Sequence, residues 1–333
     1  MTDRSEKQTL EYKGRVGEER RLKAKVAIVT GGASGIGEAT ARVFAEQGAR
    51  MVVLADIQDE LGNQVAASIG TQRCTYIHCD VADEEQVQNL VQSTVDAYGQ
   101  VDIMFSNAGI LSPSQQTVPE LDMSQLDRLF AVNVRGMAAC VKHAARAMLE
   151  GRVRGSIVCT ASVGGSHGGP NATDYIMSKH AVLGLMRSAS VQLAEHGIRV
   201  NCVSPNGLAT PLTCKQRGMS EEEGQEVYRK YARLQGVVLT PKHVADAVLF
   251  LVSDDSAFVT ALDLRVDGGF TLPSISISNS ILFIVLDCVF LTLHRLRVPP
   301  TDLPSSATNY AFNELWIQNC PTLCSKVVLL LTN

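Results

Sequence analysis

The sequence predicts an α/β protein: a doubly wound, mostly parallel sheet of seven strands with helices on both faces. Two observations predict it. From Lys25 to about Phe270, short β-branched runs alternate with longer amphipathic stretches, and alternation of this kind builds a parallel sheet with helices packed on each side. The first run, Val26–Thr30, passes straight into a glycine-rich turn and then a helical stretch, the strand–loop–helix unit from which such sheets are wound. No repeat or internal linker interrupts the pattern, so residues 22–272 form a single domain.

The strands are expected at Val26–Thr30, Met51–Asp56, Cys74–Cys79, Asp102–Ser106, Ser156–Thr160, Arg199–Val203 and Asp263–Val266. Helical stretches between them include Gly35–Gln47, Glu84–Tyr98, Met123–Leu149, Asp174–His196 and Pro241–Ser253.

After the first strand comes Gly31-Gly32-Ala33-Ser34-Gly35-Ile36-Gly37. Glycines there let the backbone turn tightly and approach a pyrophosphate, which then sits on the positive end of the following helix. Gly31, Ser34, Gly35, Ile36 and Gly37 are therefore candidates for the phosphate loop of a Rossmann-like dinucleotide site. Asp56 ends the second strand, where a carboxylate accepts hydrogen bonds from the adenosine ribose hydroxyls. A 2′-phosphate there would meet its negative charge, and Ala33, Ser34 and Ile57 offer no compensating cation. NAD is favoured over NADP.

Asp80 follows the third strand and Asn107-Ala108-Gly109 follows the fourth. Ligands bind at these strand ends, but Asp and Asn also suit turns for local reasons, and both readings stand.

After the fifth strand lies Ser162, with Tyr175 thirteen positions on and Lys179 four beyond that. Four residues is about one helical turn, so phenol and ammonium share a face. A cation beside a phenol stabilises the phenolate, which suits proton exchange with an alcohol. Ser162 is placed to hold the substrate oxygen. The trio reads as machinery for an alcohol/carbonyl couple.

Composition narrows the alternatives. The net charge is −4 with no basic stripe, which argues against a nucleic-acid partner. Nine cysteines are scattered, several in apolar runs where the thiol is a small buried hydrophobe. Cys320 and Cys324 lack further ligands at zinc spacing, so no metal site is expected. Residues 1–21 mix acids with bases and have no apolar core segment, which reads as a flexible arm rather than a targeting peptide. A cytoplasmic location is expected. Residues 273–333 hold the only tryptophan, Trp316, and an apolar run, Ile281–Leu293, that contains Asp287 and is too short to span a membrane. They read as a poorly ordered extension.

With these residues assembled, the chain resembles the short-chain dehydrogenase/reductase family, of the single-domain type with a TGxxxGxG loop. Thr30-Gly31, Gly35-Ile36-Gly37, Asp80, Asn107-Ala108-Gly109, Asn133, Ser162, Tyr175, Lys179, Pro205 through Thr210 and Val266-Asp267-Gly268-Gly269 fall in the family's order and spacing. The resemblance implies a catalytic tetrad. Tyr175 would be the general acid/base and Ser162 would orient the substrate oxygen. Lys179 would hold the nicotinamide ribose and depress the tyrosine's pKa, and Asn133 would position a water of a proton relay. It further implies that Asp80, with Val81 beside it, contacts the adenine, and that Asn107, with Ala108 and Gly109, shapes the cofactor-side wall. Pro205, Leu208 and Thr210 would lie at the nicotinamide, Thr210 holding its carboxamide. A homotetramer or dimer is implied as well.

More narrowly, Ile157–Ser162 and Asp174–Lys179 are similar to plant secondary-alcohol dehydrogenases of the family, among them the isopiperitenol/carveol, borneol, secoisolariciresinol and xanthoxin dehydrogenases. The implied substrate is a small apolar alcohol or its ketone, a terpenoid alcohol such as a monoterpenol first, in a pocket around Ile110–Pro119 and Leu208–Leu212. A lignan, phenolic, sesquiterpenoid or steroid-like alcohol, or a non-catalytic NAD-binding module, are the alternatives. The chain departs from the family at Ser106, where a second asparagine is usual, at Asn206, often glycine, and at Thr260-Ala261, commonly Ser-Gly.

Overall fold

Branched and aromatic side chains fit the pleated, half-buried surface of a strand. The computed structural model describes residues 20–272 and places a strand on each predicted run. They are β1 (Val26–Thr30), β2 (Met51–Asp56), β3 (Cys74–His78), β4 (Ile103–Ser106), β5 (Ser156–Thr160), β6 (Arg199–Pro205) and β7 (Asp263–Val266). Cys79 and Asp102, predicted as strand ends, fall just outside the observed β3 and β4, and β6 runs on through Pro205. All pairings are parallel, in the order β3-β2-β1-β4-β5-β6-β7.

Successive strand residues point to opposite faces, which splits the core in two. Ile28, Val53, Met104, Ile157 and Val200 face one layer, while Ala27, Val29, Val52, Leu54, Phe105 and Val158 face the other. Because both faces are covered, β1 and β5 are buried along their whole length. This is why their central residues, Val26–Val29 and Ile157–Cys159, read as unbroken apolar runs rather than alternating ones.

Helices α1 (Gly35–Glu46), α2 (Asp59–Ile69) and, near the end of the domain, α9 (Pro241–Val252) supply the second layer. The first is built from α3 (Glu84–Tyr98), α5 (Met137–Glu150) and α6 (Thr173–Leu193). Helix α3 shows the local logic. Asp83 caps its start by accepting from the Glu85 and Gln86 amides, and Gly99 ends it in the left-handed region. Three helices were not named by the periodicity: α2, α7 (Pro211–Arg217) and α8 (Glu221–Arg229).

The single helix predicted over Met123–Leu149 is a correction. It is divided into α4 (Met123–Phe130), a π-helical turn over Ala131–Gly136, and α5. Hydrophobic spacing carries no sign of such a turn. Two contacts accompany it: the Asn133 side chain is fastened to the backbone of Ile110, and Gly136 lies so close to Val81 that a Cβ would come 2.8 Å from its carbonyl oxygen.

The predicted arm at 1–21 lies outside the described residues apart from its last two positions, where Arg21 pairs with Asp255 at 3.4 Å. The next residue, Leu22, is fully buried. The extension at 273–333, with Trp316, Cys320 and Cys324, lies outside them too. Among the described residues, no helix is long and apolar enough to cross a membrane. Their six cysteines are all free and buried.

Candidate active site

The strand order reverses between β1 and β4, so the loops leaving them diverge and open a crevice at the carboxyl ends of the strands. A cleft of about 1170 Å³ lies there. Its floor is the glycine loop after β1. Gly31 and Gly35 sit at φ of +65° and +57°, where side chains are disfavoured. A Cβ on Gly31 would also come within 2.9 Å of the Ala108 Cα. Ser34 caps α1 without a side-chain bond to the first turn, which leaves first-turn amides directed at an anion. The loop thus fits the pyrophosphate of a dinucleotide. Gly37, predicted as a cofactor contact, does not line the cleft. It packs behind the loop, where a Cβ would stand 2.0 Å from the Gly31 carbonyl oxygen.

Asp56 lines the cleft at the end of β2 and is buried. Its carboxylate accepts from the Ala33 amide at 3.1 Å and the Gln58 amide at 3.1 Å, and its carbonyl accepts from the Tyr76 hydroxyl at 2.6 Å. Among the described residues, no lysine or arginine lines this end, where Ile57, Gln58 and Asp80 also line the cleft. Asp80 and Val81 line the same wall. The Asp80 carboxylate also accepts from the Ala82 amide at 3.0 Å, so its turn role and its cleft position coexist.

Asn107, Ala108 and Gly109 form the wall above β4. The Asn107 amide donates to the Thr30 carbonyl at 3.1 Å and accepts from the Thr160 hydroxyl at 3.0 Å. It therefore ties β1, β4 and β5 together while itself lining the cleft. Pro205, Leu208 and Thr210 line the opposite side after β6. Thr210 caps α7 in a reciprocal box with Thr213, which holds it at the mouth.

Ser162, Tyr175 and Lys179 converge at the centre. Lys179 is 3 % exposed, and its ammonium donates to the Thr160 carbonyl at 2.8 Å and lies 5.5 Å from the centre of the Tyr175 ring. Burial pulls its pKa down to about 8. The expected effect on Tyr175 is corrected here. Burial pushes that phenol up, against a smaller downward pull from the neighbouring Ser162 hydroxyl.

Asn133 is fully buried and does not line the cleft. Its side chain accepts from the Ile110 amide at 2.8 Å, and donates to the Ile110 carbonyl at 3.0 Å and to Ser178 Oγ at 3.3 Å. Both of its N–H donors are therefore engaged within the protein. His167 and His180 are exposed and bond to local carbonyls.

The substrate end mixes expected and unexpected residues. Ile110, Leu111, Pro113, Leu208 and Leu212 line it, as the apolar segments suggested. Tyr228 and Tyr231, from the end of α8 and just beyond, line it as well. Gly207 makes room for the first, since a Cβ there would come 2.5 Å from the Tyr228 ring. The Ser220–Glu223 capping box that starts α8 was the available signal for that helix. Gln216 and Lys215 of α7 add a polar margin. Among the described residues, no cluster of His, Cys, Asp or Glu is arranged to hold a metal ion.

Comparison with known proteins places this geometry. Residues 31–271 match the family model described as "Enoyl-(Acyl carrier protein) reductase". The chain is 57 % identical to a (-)-isopiperitenol/(-)-carveol dehydrogenase, mitochondrial, of Mentha piperita, over 78 % of its length and 98 % of that protein. It is 56 % identical to the (+)-cis,trans-nepetalactol synthase NEPS2 of Nepeta racemosa, over 76 % and 96 %. Among solved structures, a short-chain type dehydrogenase/reductase from Mycobacterium marinum superposes with a TM-score of 0.70 at 32 % identity, over 77 % of this chain and 99 % of that one. On this match and these identities, the chain belongs to the short-chain dehydrogenase/reductase family.

Proposed function

We propose that the protein is an NAD-dependent dehydrogenase that converts a secondary alcohol to its ketone, reversibly, and that the alcohol is a monoterpenol or a related terpenoid. One observation carries the reading: Ser162, Tyr175 and Lys179 meet in the same cleft as a glycine loop shaped for a pyrophosphate. The nicotinamide, when bound, accepts a hydride from the carbinol carbon.

The chain's own residues supply position and proton transfer. Ser162 holds the alcohol oxygen toward the Tyr175 oxygen, and Tyr175, as its phenolate, takes the alcohol's proton and becomes the phenol. Lys179, fixed by Thr160, stands beside the ring to stabilise the phenolate before that transfer. Asn133 acts through its bonds to Ile110, which set the wall segment over the reacting carbon. Positioning of this kind accounts for much of an enzyme's rate when the cofactor carries the chemistry. Asp56, with no lysine or arginine among the described residues lining the cleft beside it, supports NAD over NADP.

The terpenoid reading draws on the apolar wall at Ile110, Leu111, Leu208 and Leu212 and on the 57 % identity with the peppermint carveol dehydrogenase. It is tested by an NADH-formation screen of monoterpenols, sesquiterpenols and lignan diols. Turnover of a monoterpenol supports it; turnover of a lignan diol alone overturns the substrate while keeping the chemistry. The 56 % identity with the Nepeta protein favours a second reading, formation of a nepetalactol-type product, to which the absence of NADH formation with every alcohol would point.

The cytoplasmic expectation rests on the acid-bearing N-terminus, whereas the peppermint relative is named mitochondrial. Fractionation of the tagged full chain decides between the two addresses. A dimer or tetramer is proposed on family grounds, and light scattering of the purified chain measures it.

A further inference from the structure

Asp174 carries a feature that the reaction as described does not use. Its carboxylate is 1 % exposed, and among the described residues no lysine, arginine or histidine lies within ion-pair distance. A buried carboxylate without a cation is costly unless hydrogen bonds replace its water. Two are present. Oδ1 accepts from the backbone N–H of Tyr175 at 2.8 Å, and Oδ2 accepts from the Ser112 hydroxyl. The first turn of α6 adds the favourable end of a helix dipole.

An acidic residue in a first turn that accepts from its neighbour's amide is ordinary. The partner on the other side is not. Ser112 belongs to the wall segment after β4, 62 positions earlier. Its own carbonyl accepts from the side chain of Gln216, on α7, at 2.5 Å. The same wall segment is held to the approach to α6 at a second point, where Gln116 donates to the Asn171 carbonyl and accepts from the Thr173 amide, each at 3.0 Å. Gln216 also lines the cleft, as do the neighbours of Ser112, Leu111 and Pro113. A continuous chain of hydrogen bonds therefore runs from α7 on one side of the cleft, through Ser112 on the other, to Asp174 and the backbone of Tyr175.

We infer that Asp174 and Ser112 are positioning residues that lock the substrate wall and α7 to the backbone of the catalytic tyrosine, so that closure of the wall over the alcohol sets the phenol's position. The inference rests on the assignment of Tyr175 as the proton acceptor. It makes the position of Tyr175 depend on a junction between three segments that no single motif contains.

The test measures kcat, KM for the alcohol and NADH affinity of the full-length chain, with (-)-carveol or, should the wild type leave it untouched, the alcohol of the screen that it oxidises fastest. Asp174→Ala and Ser112→Ala are expected to lower kcat about ten- to hundredfold, the scale on which a misplacement of about 1 Å acts, with NADH affinity held within about twofold. Asp174→Asn keeps an oxygen for the Tyr175 amide and gains an N–H for Ser112 Oγ, and is expected to restore kcat to within about threefold. Gln216→Ala is expected to raise KM for the alcohol several-fold with little effect on NADH affinity. Wild-type kcat in both alanine variants would overturn the inference, as would a loss of NADH affinity in step with kcat, which marks general unfolding. Tyr175→Phe run in parallel separates the two levels: if it keeps turnover, the catalytic assignment has failed; if it loses turnover while the alanine variants do not, only the positioning role has.

Discussion

The Lys179 ammonium donates to the Thr160 carbonyl at 2.8 Å, so the cation of the site is anchored to the last residue of β5 and not to the phenol it serves. The anchor places it 5.5 Å from the Tyr175 ring centre and almost out of contact with water. A positive charge is thus held close to the Tyr175 phenol, at the expense of the lysine's own solvation.

That arrangement makes Lys179 a source of instability with a definite pH dependence. Its folded pKa, about 8, lies below its ordinary 10.5, so between those values the unfolded chain binds more protons and stability rises with pH. Lys179→Met removes the buried charge. The variant is expected to be more stable than the wild type by about 2 kcal/mol below about pH 8, with the difference shrinking toward pH 10.5 and turnover lost throughout. Urea unfolding across that range checks it; a gap that widens with pH contradicts it.

Asp56→Asn is expected to relax the preference for NAD over NADP by about tenfold or more, in the ratio of kcat/KM values, because the carboxylate that repels a 2′-phosphate is gone. The Ala33 and Gln58 amides bond to different oxygens of Asp56, and asparagine keeps an acceptor for one of them, so some loss of affinity for both cofactors accompanies the change in ratio. An unchanged ratio refutes the cofactor assignment.

Gly37→Ala places a Cβ 2.0 Å from the Gly31 carbonyl oxygen, which is backbone and has no rotamer to escape by. NADH affinity is expected to fall about a hundredfold or more, with a lower Tm. Wild-type affinity, measured by fluorescence titration, would show that the loop does not make the pyrophosphate site.

Ala261 occupies a left-handed conformation at φ +62°, a region costing a non-glycine residue about 1–2 kcal/mol. Glycine relieves that strain but gives back part of it through a freer unfolded chain. Ala261→Gly is therefore expected to stabilise the domain by about 0.5–1 kcal/mol without altering kcat, as read from the urea midpoint.

How far the sequence reaches is clear from particular residues. The central strands were legible because both faces of the sheet are covered there, so Val26–Val29 and Ile157–Cys159 are apolar without a break. Gly31 and Gly35 were legible because their conformations admit little else. The π-turn that carries Asn133 was not, since it leaves no periodic mark. Nor was the pull of burial on Tyr175 and Lys179: a spacing of four shows that two side chains share a helix face and says nothing of which carbonyl the ammonium will reach. The Ser112–Asp174 contact joins segments 62 residues apart, and neither residue is part of a local pattern. Tyr228 reaches the cleft only because Gly207, 21 positions earlier, clears the space.

The central claim is that Tyr175 takes the alcohol's proton in a site that binds NAD independently of it. Tyr175→Phe keeps the ring and removes the hydroxyl, so the most direct measurement is its kcat for the best alcohol of the screen beside its affinity for NADH. A kcat lower by about a hundred- to ten-thousandfold, with NADH affinity within about twofold of wild type, is the expected result. Turnover at the wild-type rate would contradict the account.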